Sequence, residues 1–99
     1  MKFQIILSEE TKRDLEDIWH TTAHRWSIDQ ANKYYELLEE GINQLSKTPE
    51  LGRVLHEVSE EYRIYKVKSH LIIYSLEGRR LEIFRILHER MEKKRHIGE

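Results

Sequence analysis

The side chains able to do chemistry crowd into residues 62–99 of this 99-residue chain. Arg63, Lys66, Lys68, Arg85, His88 and Arg90 supply cations and an imidazole, and Tyr65 and Tyr74 add phenols. Such groups can bind an anion, shuttle a proton, or stabilise charge that develops on phosphate oxygens. His88 and Arg90 stand two apart, so in an extended segment both point the same way and can grip one anion. The overall charge is −1, but residues 1–61 carry a net −6 and residues 62–99 a net +5. A basic half on a nearly neutral protein implies one electropositive surface that meets an anionic partner, unless folding lays the halves together and cancels them.

Other constellations point nowhere. His20 and His24 have the i, i+4 spacing of a helical metal chelate, yet no third ligand stands near them in sequence. Their place near a helix C-terminus favours positive charge in any case. The chain has no cysteine, which excludes disulfides and thiolate metal sites and makes a reducing, intracellular home the default. The sequence has no Gly-rich phosphate loop and no nucleophile elbow, and no paired carboxylates in a credible cleft, so neither a cofactor nor a metal is expected. No apolar run is long enough to span a bilayer, and the first seven residues are too short and polar-interrupted for a signal peptide. A cytoplasmic location is expected.

The elements that must position these groups follow from periodicity. Phe3, Ile5 and Leu7 alternate as in a strand. Ser8, followed by Glu9 and Glu10, reads as the N-cap of a helix from Ser8 to Arg25. Its apolar stripe is Leu15, Ile18, Trp19, Thr22, Ala23 and Trp26, with Arg13, Asp17, His20 and His24 outward. Ser27-Ile28-Asp29-Gln30 is a capping box that restarts the chain as a helix from Ile28 to Lys47. Gly41 inside that helix costs about 1 kcal/mol relative to alanine, which close contact with a neighbouring element would offset. Pro49-Glu50-Leu51-Gly52-Arg53 then opens a loop to about Glu61, with Gly52 supplying a positive φ. Strands are expected at Tyr62 to Lys68, His70 to Leu76 and Arg79 to Leu87, joined by short turns into a meander. The charged stretch from Glu89 to His96 reads as a helical turn or a frayed end.

One domain over residues 1–99 results, an α+β fold of order β-α-α-β-β-β with a helical hairpin on one face of a small, mostly antiparallel sheet. By strict alternation, Leu71, Ile73, Leu81, Ile83 and Leu87 oppose Ile72, Tyr74, Leu76, Phe84 and Ile86. One set would then lie largely outside the helix-covered core and need a partner.

Leu15-Glu16-Asp17-Ile18-Trp19, Pro49-Glu50-Leu51-Gly52-Arg53, Tyr62-Arg63-Ile64-Tyr65, His70-Leu71-Ile72-Ile73-Tyr74 and Ile86-Leu87-His88-Glu89-Arg90-Met91 carry a resemblance. In this order and spacing the chain resembles the ParE branch of the ParE/RelE toxin superfamily. The resemblance implies a toxin of a type II toxin–antitoxin system, wrapped and neutralised by a cognate antitoxin. RelE-type members cut messenger RNA on the ribosome, whereas ParE-type members poison DNA gyrase and perform no chemistry. The middle strand, His70 to Leu76, holds no lysine or arginine, unlike the dense cations of the nuclease branch, and the Ile86 to Met91 ending resembles the gyrase-directed branch. The resemblance therefore implies a gyrase inhibitor, not an enzyme, that meets nucleic acid only indirectly. A ribosome-dependent mRNA endonuclease and a non-toxic member that keeps only antitoxin binding are the alternatives. No catalytic residue is expected, and Arg63, Lys66, Ile72, Tyr74, Arg85, His88 and Arg90 are the expected partner-binding residues. Arg63 and Arg85 can equally pair with Glu82 or another carboxylate.

Overall fold

Two serines set the helices. In this computed structural model, which describes residues 2–57 and 59–91, Ser8 Oγ accepts the Thr11 N–H at 3.0 Å and Ser27 Oγ accepts the Gln30 N–H at 3.0 Å. Strand β1 (Gln4–Leu7) therefore passes at once into α1 (Glu9–Arg25), and α1 into α2 (Ile28–Lys47). Trp19 Nε1 donates to Asn32 Oδ1 at 2.9 Å and ties the two helices together. A 3-10 turn at Pro49–Leu51 leads to β2 (Arg53–Val54), β3 (Tyr62–Val67), β4 (His70–Glu77), β5 (Arg80–His88) and a single helical turn, α3 (Glu89–Met91). The rest of the expected charged tail lies outside the described residues.

The five strands form one sheet of order β1-β5-β4-β3-β2, parallel only between β1 and β5. The loop after Pro49 thus gives the sheet an edge strand, β2, which at two residues is too short to show a period. Lys68 (φ 56°) and Gly78 (φ 60°) make the left-handed turns of the two hairpins. Gly52, with φ −79°, does not; its bare Cα instead makes room for the Tyr74 ring, which a Cβ there would overlap. Gly41 works likewise, since a Cβ on it would stand 2.6 Å from Val67 Cγ2, so α2 sits close against β3.

The face assignment needs correction. Ile73 pairs with Arg85 but Tyr74 pairs with Ile83, so Phe84 is an extra residue in β5. Such a bulge reverses the phase of alternation. Leu81 and Ile83 thereby join Ile72, Tyr74 and Ile86 on the helix-covered face, packed with Leu15, Leu38 and Leu45. The opposite face holds Ile64, Leu71, Ile73 and Leu87 by register, and Tyr62 meets Phe84 edge-on at 5.1 Å. Ile64 and Leu87 are buried, and Leu71 and Ile73 are half-buried, so this face is less bare than strict alternation implies. Trp26 is corrected too. Its φ −123°, ψ −82° at the end of α1 takes it off the helical stripe, and it stands 76% exposed beside Ile28 at 62%.

Candidate partner-binding surface

Strand β1 accompanies β5 only as far as Ile83, which leaves the β5 edge open just where the bulge disturbs its ladder. The start of α1 fills the gap with residues three apart on one helix face. Ser8 Oγ donates to Phe84 O at 2.8 Å, and Thr11 Oγ1 donates to Ile83 O at 2.9 Å. Asp14 accepts the Arg85 Nε–H and Nη2–H at 2.8 and 3.0 Å, and the Ile86 N–H at 2.9 Å. Hydrogen bonding to Asp14 outweighs burial and holds the Arg85 guanidinium even more firmly protonated than usual. Periodicity missed Asp14, whose carboxylate joins α1 to β5 at this edge. The only signal was the row Ser8, Thr11, Asp14, polar groups at helical spacing beside the apolar Leu15.

At the far end of β5, His88 lies opposite His70 on β4, with their rings edge-on at 5.3 Å. Tyr34 Oη stands 2.7 Å from His70 Nδ1 and 3.2 Å from Ser69 Oγ. Burial, reinforced by His88, pushes His70 down from 6.5 to about 4, so its imidazole is neutral near pH 7. Two adjoining clefts of about 340 and 480 Å³ share these histidines. One adds Asp14, Asp17 and Arg85, and the other Arg25, Trp26 and Tyr34. His88 Nδ1 accepts the Arg90 N–H at 3.2 Å, because the chain turns helical at Glu89; the extended pair expected of His88 and Arg90 does not form.

The remaining expected residues scatter. Arg63 Nη1 donates to Gly52 O at 2.7 Å, and Lys66 Nζ pairs with Glu89 at 3.0 Å. Arg90 is exposed. Ile72 and Tyr74 are each 0% exposed and belong to the core, so they cannot touch a partner as expected of them. The Tyr74 hydroxyl donates to Pro49 O at 2.6 Å and accepts the Gly52 N–H at 2.9 Å, and burial raises its ionisation above the ordinary phenol value. Among the described residues, no three carboxylate or imidazole side chains gather as metal ligands, and His20 and His24 are exposed. Among the described residues, the two clefts at the β4–β5 end of the sheet gather His70 and His88 with Tyr34 and Arg25 on one side and with Arg85, held by Asp14, on the other.

A family model described as the ParE toxin of the type II toxin–antitoxin system parDE matches residues 5–93. Toxin ParE1 of Mycobacterium tuberculosis is 33% identical over 98 residues, covering 98% of this chain and 100% of that protein. Toxin ParE1 of Caulobacter vibrioides is 35% identical over 92 residues, covering 93% and 95%. Among solved structures, the chromosomal ParDE system of P. aeruginosa is similar in fold, with a TM-score of 0.77 at 15% identity over 88% of this chain and 96% of that one. The YoeB/ParE toxin of Agrobacterium tumefaciens gives 0.64 at 21%, over 86% and 96%. With its helical hairpin on a mostly antiparallel sheet and a family match along nearly its whole length, this chain belongs to the ParE toxin family of type II toxin–antitoxin systems.

Proposed function

We propose that the chain acts as one domain that inhibits DNA gyrase by binding it, with no chemistry of its own, and that a cognate antitoxin silences it in the cytoplasm. The observation that carries this is the commitment of three of its cations. Among the described residues, Arg85 bonds Asp14, Arg63 bonds the Gly52 carbonyl and Lys66 bonds Glu89, so three of the cations a nuclease could aim at a scissile phosphate are engaged within the fold, which supports the binding reading. No helix among the described residues is long and apolar enough to cross a membrane. We assign the antitoxin to the sheet face opposite the helices, where half-buried Leu71 and Ile73 offer apolar area.

The test is a pair of assays on purified toxin, with and without antitoxin: gyrase supercoiling, and mRNA cleavage on ribosomes. Supercoiling should be blocked, and restored by antitoxin, while mRNA stays intact. Ribosome-dependent cleavage with unaffected supercoiling replaces this reading with the nuclease. For the antitoxin, hydrogen exchange should slow in β4 and β5 of the complex. Protection confined to the outer helix surfaces removes the sheet placement.

A further inference from the structure

In a parallel pair only alternate residues address the neighbouring strand. Gln4 N–H bonds Arg79 O at 2.8 Å and Ser8 N–H bonds Ile83 O at 3.1 Å, so the backbone groups of Ile5 and Leu7 turn the other way, to the outer edge of the sheet. The end of α2 closes that edge at one point, where Ser46 O accepts the Phe3 N–H at 2.8 Å. From Ile5 onward the edge borders a groove of about 550 Å³. Its floor is apolar, made by Ile5, Leu7, Leu15, Tyr35 and Ile42. Its rim is acidic: Glu36, Glu39 and Glu40 stand exposed on α2, and among the described residues none of the three is ion-paired. Among the described residues, no lysine or arginine lines it.

We propose that this groove receives an extended protein segment with lysine or arginine at alternate positions, added to the sheet as a strand against residues 5–7. Each part of the site fixes one feature of the occupant. The outward N–H and C=O groups call for another extended backbone, since an open strand edge is a template for pairing. A strand points alternate side chains to one face, and those on the helix side would cross the apolar floor toward α2. Long aliphatic stems fit that floor while their charged ends reach the glutamates. Three carboxylates at i, i+3 and i+4 on one helix face repel one another in the free protein, and incoming cations relieve that repulsion. The same carboxylates repel nucleic acid phosphates. This edge lies across the sheet from β3 and beyond β5, apart from the surface given to the antitoxin, and does not rest on that placement.

The probe is a capped eight-residue peptide alternating lysine with valine, beside a counterpart with glutamate in place of lysine, each titrated into ¹⁵N-labelled full chain. The lysine peptide should shift the amides of residues 5–7 and 36–43, slow exchange at Ile5 and Leu7, and bind more weakly at high salt. Affinity should fall at least roughly tenfold in the triple variant E36K/E39K/E40K, and in the same direction in E36Q/E39Q/E40Q, whose uncharged side chains leave the helix intact. The idea is overturned if the lysine peptide does not bind, if the glutamate peptide binds equally, or if charge reversal changes nothing. It is equally overturned if sedimentation shows that the chain alone self-associates through this edge and that E36K/E39K/E40K abolishes it, because the occupant is then a second copy.

Discussion

Asp14 on α1 grips Arg85 on β5 through two hydrogen bonds of 2.8 and 3.0 Å, and the same carboxylate takes the Ile86 N–H. One side chain thereby neutralises a strand cation and seals the edge of β5 where β1 stops. The Asp14 side chain is only 12% exposed, so its loss leaves a backbone donor and a guanidinium without their acceptor. Asp14→Ala should cost about 2 kcal/mol in urea denaturation, and Asp14→Asn, which keeps a carbonyl oxygen for the Ile86 N–H, should cost less. Equal stability of wild type and Asp14→Ala would show that the edge does not need this seal.

Acid should weaken the fold through His70. Burial, then His88, holds its folded value at about 4 against 6.5 for a free imidazole. Below pH 6.5 the unfolded chain takes up a proton that the folded chain refuses until about pH 4. Stability from this group is therefore unaffected above pH 6.5 and lost on descending toward pH 4, by less than the full value of about 1.4 kcal/mol per pH unit because the partly exposed ring is screened by solvent. His70→Gln should flatten that part of a stability–pH curve. An unchanged slope in the variant would assign the loss to other groups.

Gly41→Ala should destabilise although alanine is the better helix former. The helical preference of about 1 kcal/mol is opposed by overlap with Val67 Cγ2, whose β-branched side chain has little freedom to move away. We expect a net loss of about 1 kcal/mol. Paired with Val67→Ala, the same substitution should become favourable relative to Val67→Ala alone, a sign reversal that a double-mutant cycle of thermal melts reads directly.

Tyr74→Phe deletes a hydroxyl with no access to water and strands both the Pro49 carbonyl and the Gly52 N–H. The cost should be about 2 kcal/mol. Faster amide exchange at Gly52, ahead of global unfolding, should accompany it; uniform acceleration across the chain would place the effect elsewhere.

His88→Ala and Tyr65→Phe test the absence of chemistry. If toxicity arises by binding, each should retain it to within about tenfold, whereas loss of a general acid or base typically costs 100-fold or more. Growth arrest in cells, alongside a melt to confirm folding, is the measurement. A folded variant with no toxicity, and ribosome-dependent RNA cleavage lost in parallel, points to the nuclease.

The elements were legible because their causes are local. Ser8 and Ser27 each bond an amide three residues on, and the apolar period of α2 is set within single turns, so both helices appear where the residue order puts them. The strands from Tyr62 onward follow for the same reason, to within a residue at most ends. What the chain does with those elements depends on residues far apart. Phe84 is a bulge because Ser8, Thr11 and Asp14, some seventy positions earlier, supply partners for the backbone and cation it displaces. Periodicity cannot see that, so it placed Leu81 and Ile83 on the wrong face and offered buried Tyr74 to a partner. The cations of the basic half were visible as residues, but only tertiary contact decided that Arg63, Lys66 and Arg85 would be held within the fold. Hydrogen bonds within a helical turn are written in neighbouring residues; which face a side chain occupies and which charge it meets are settled by the strand or helix that arrives beside it.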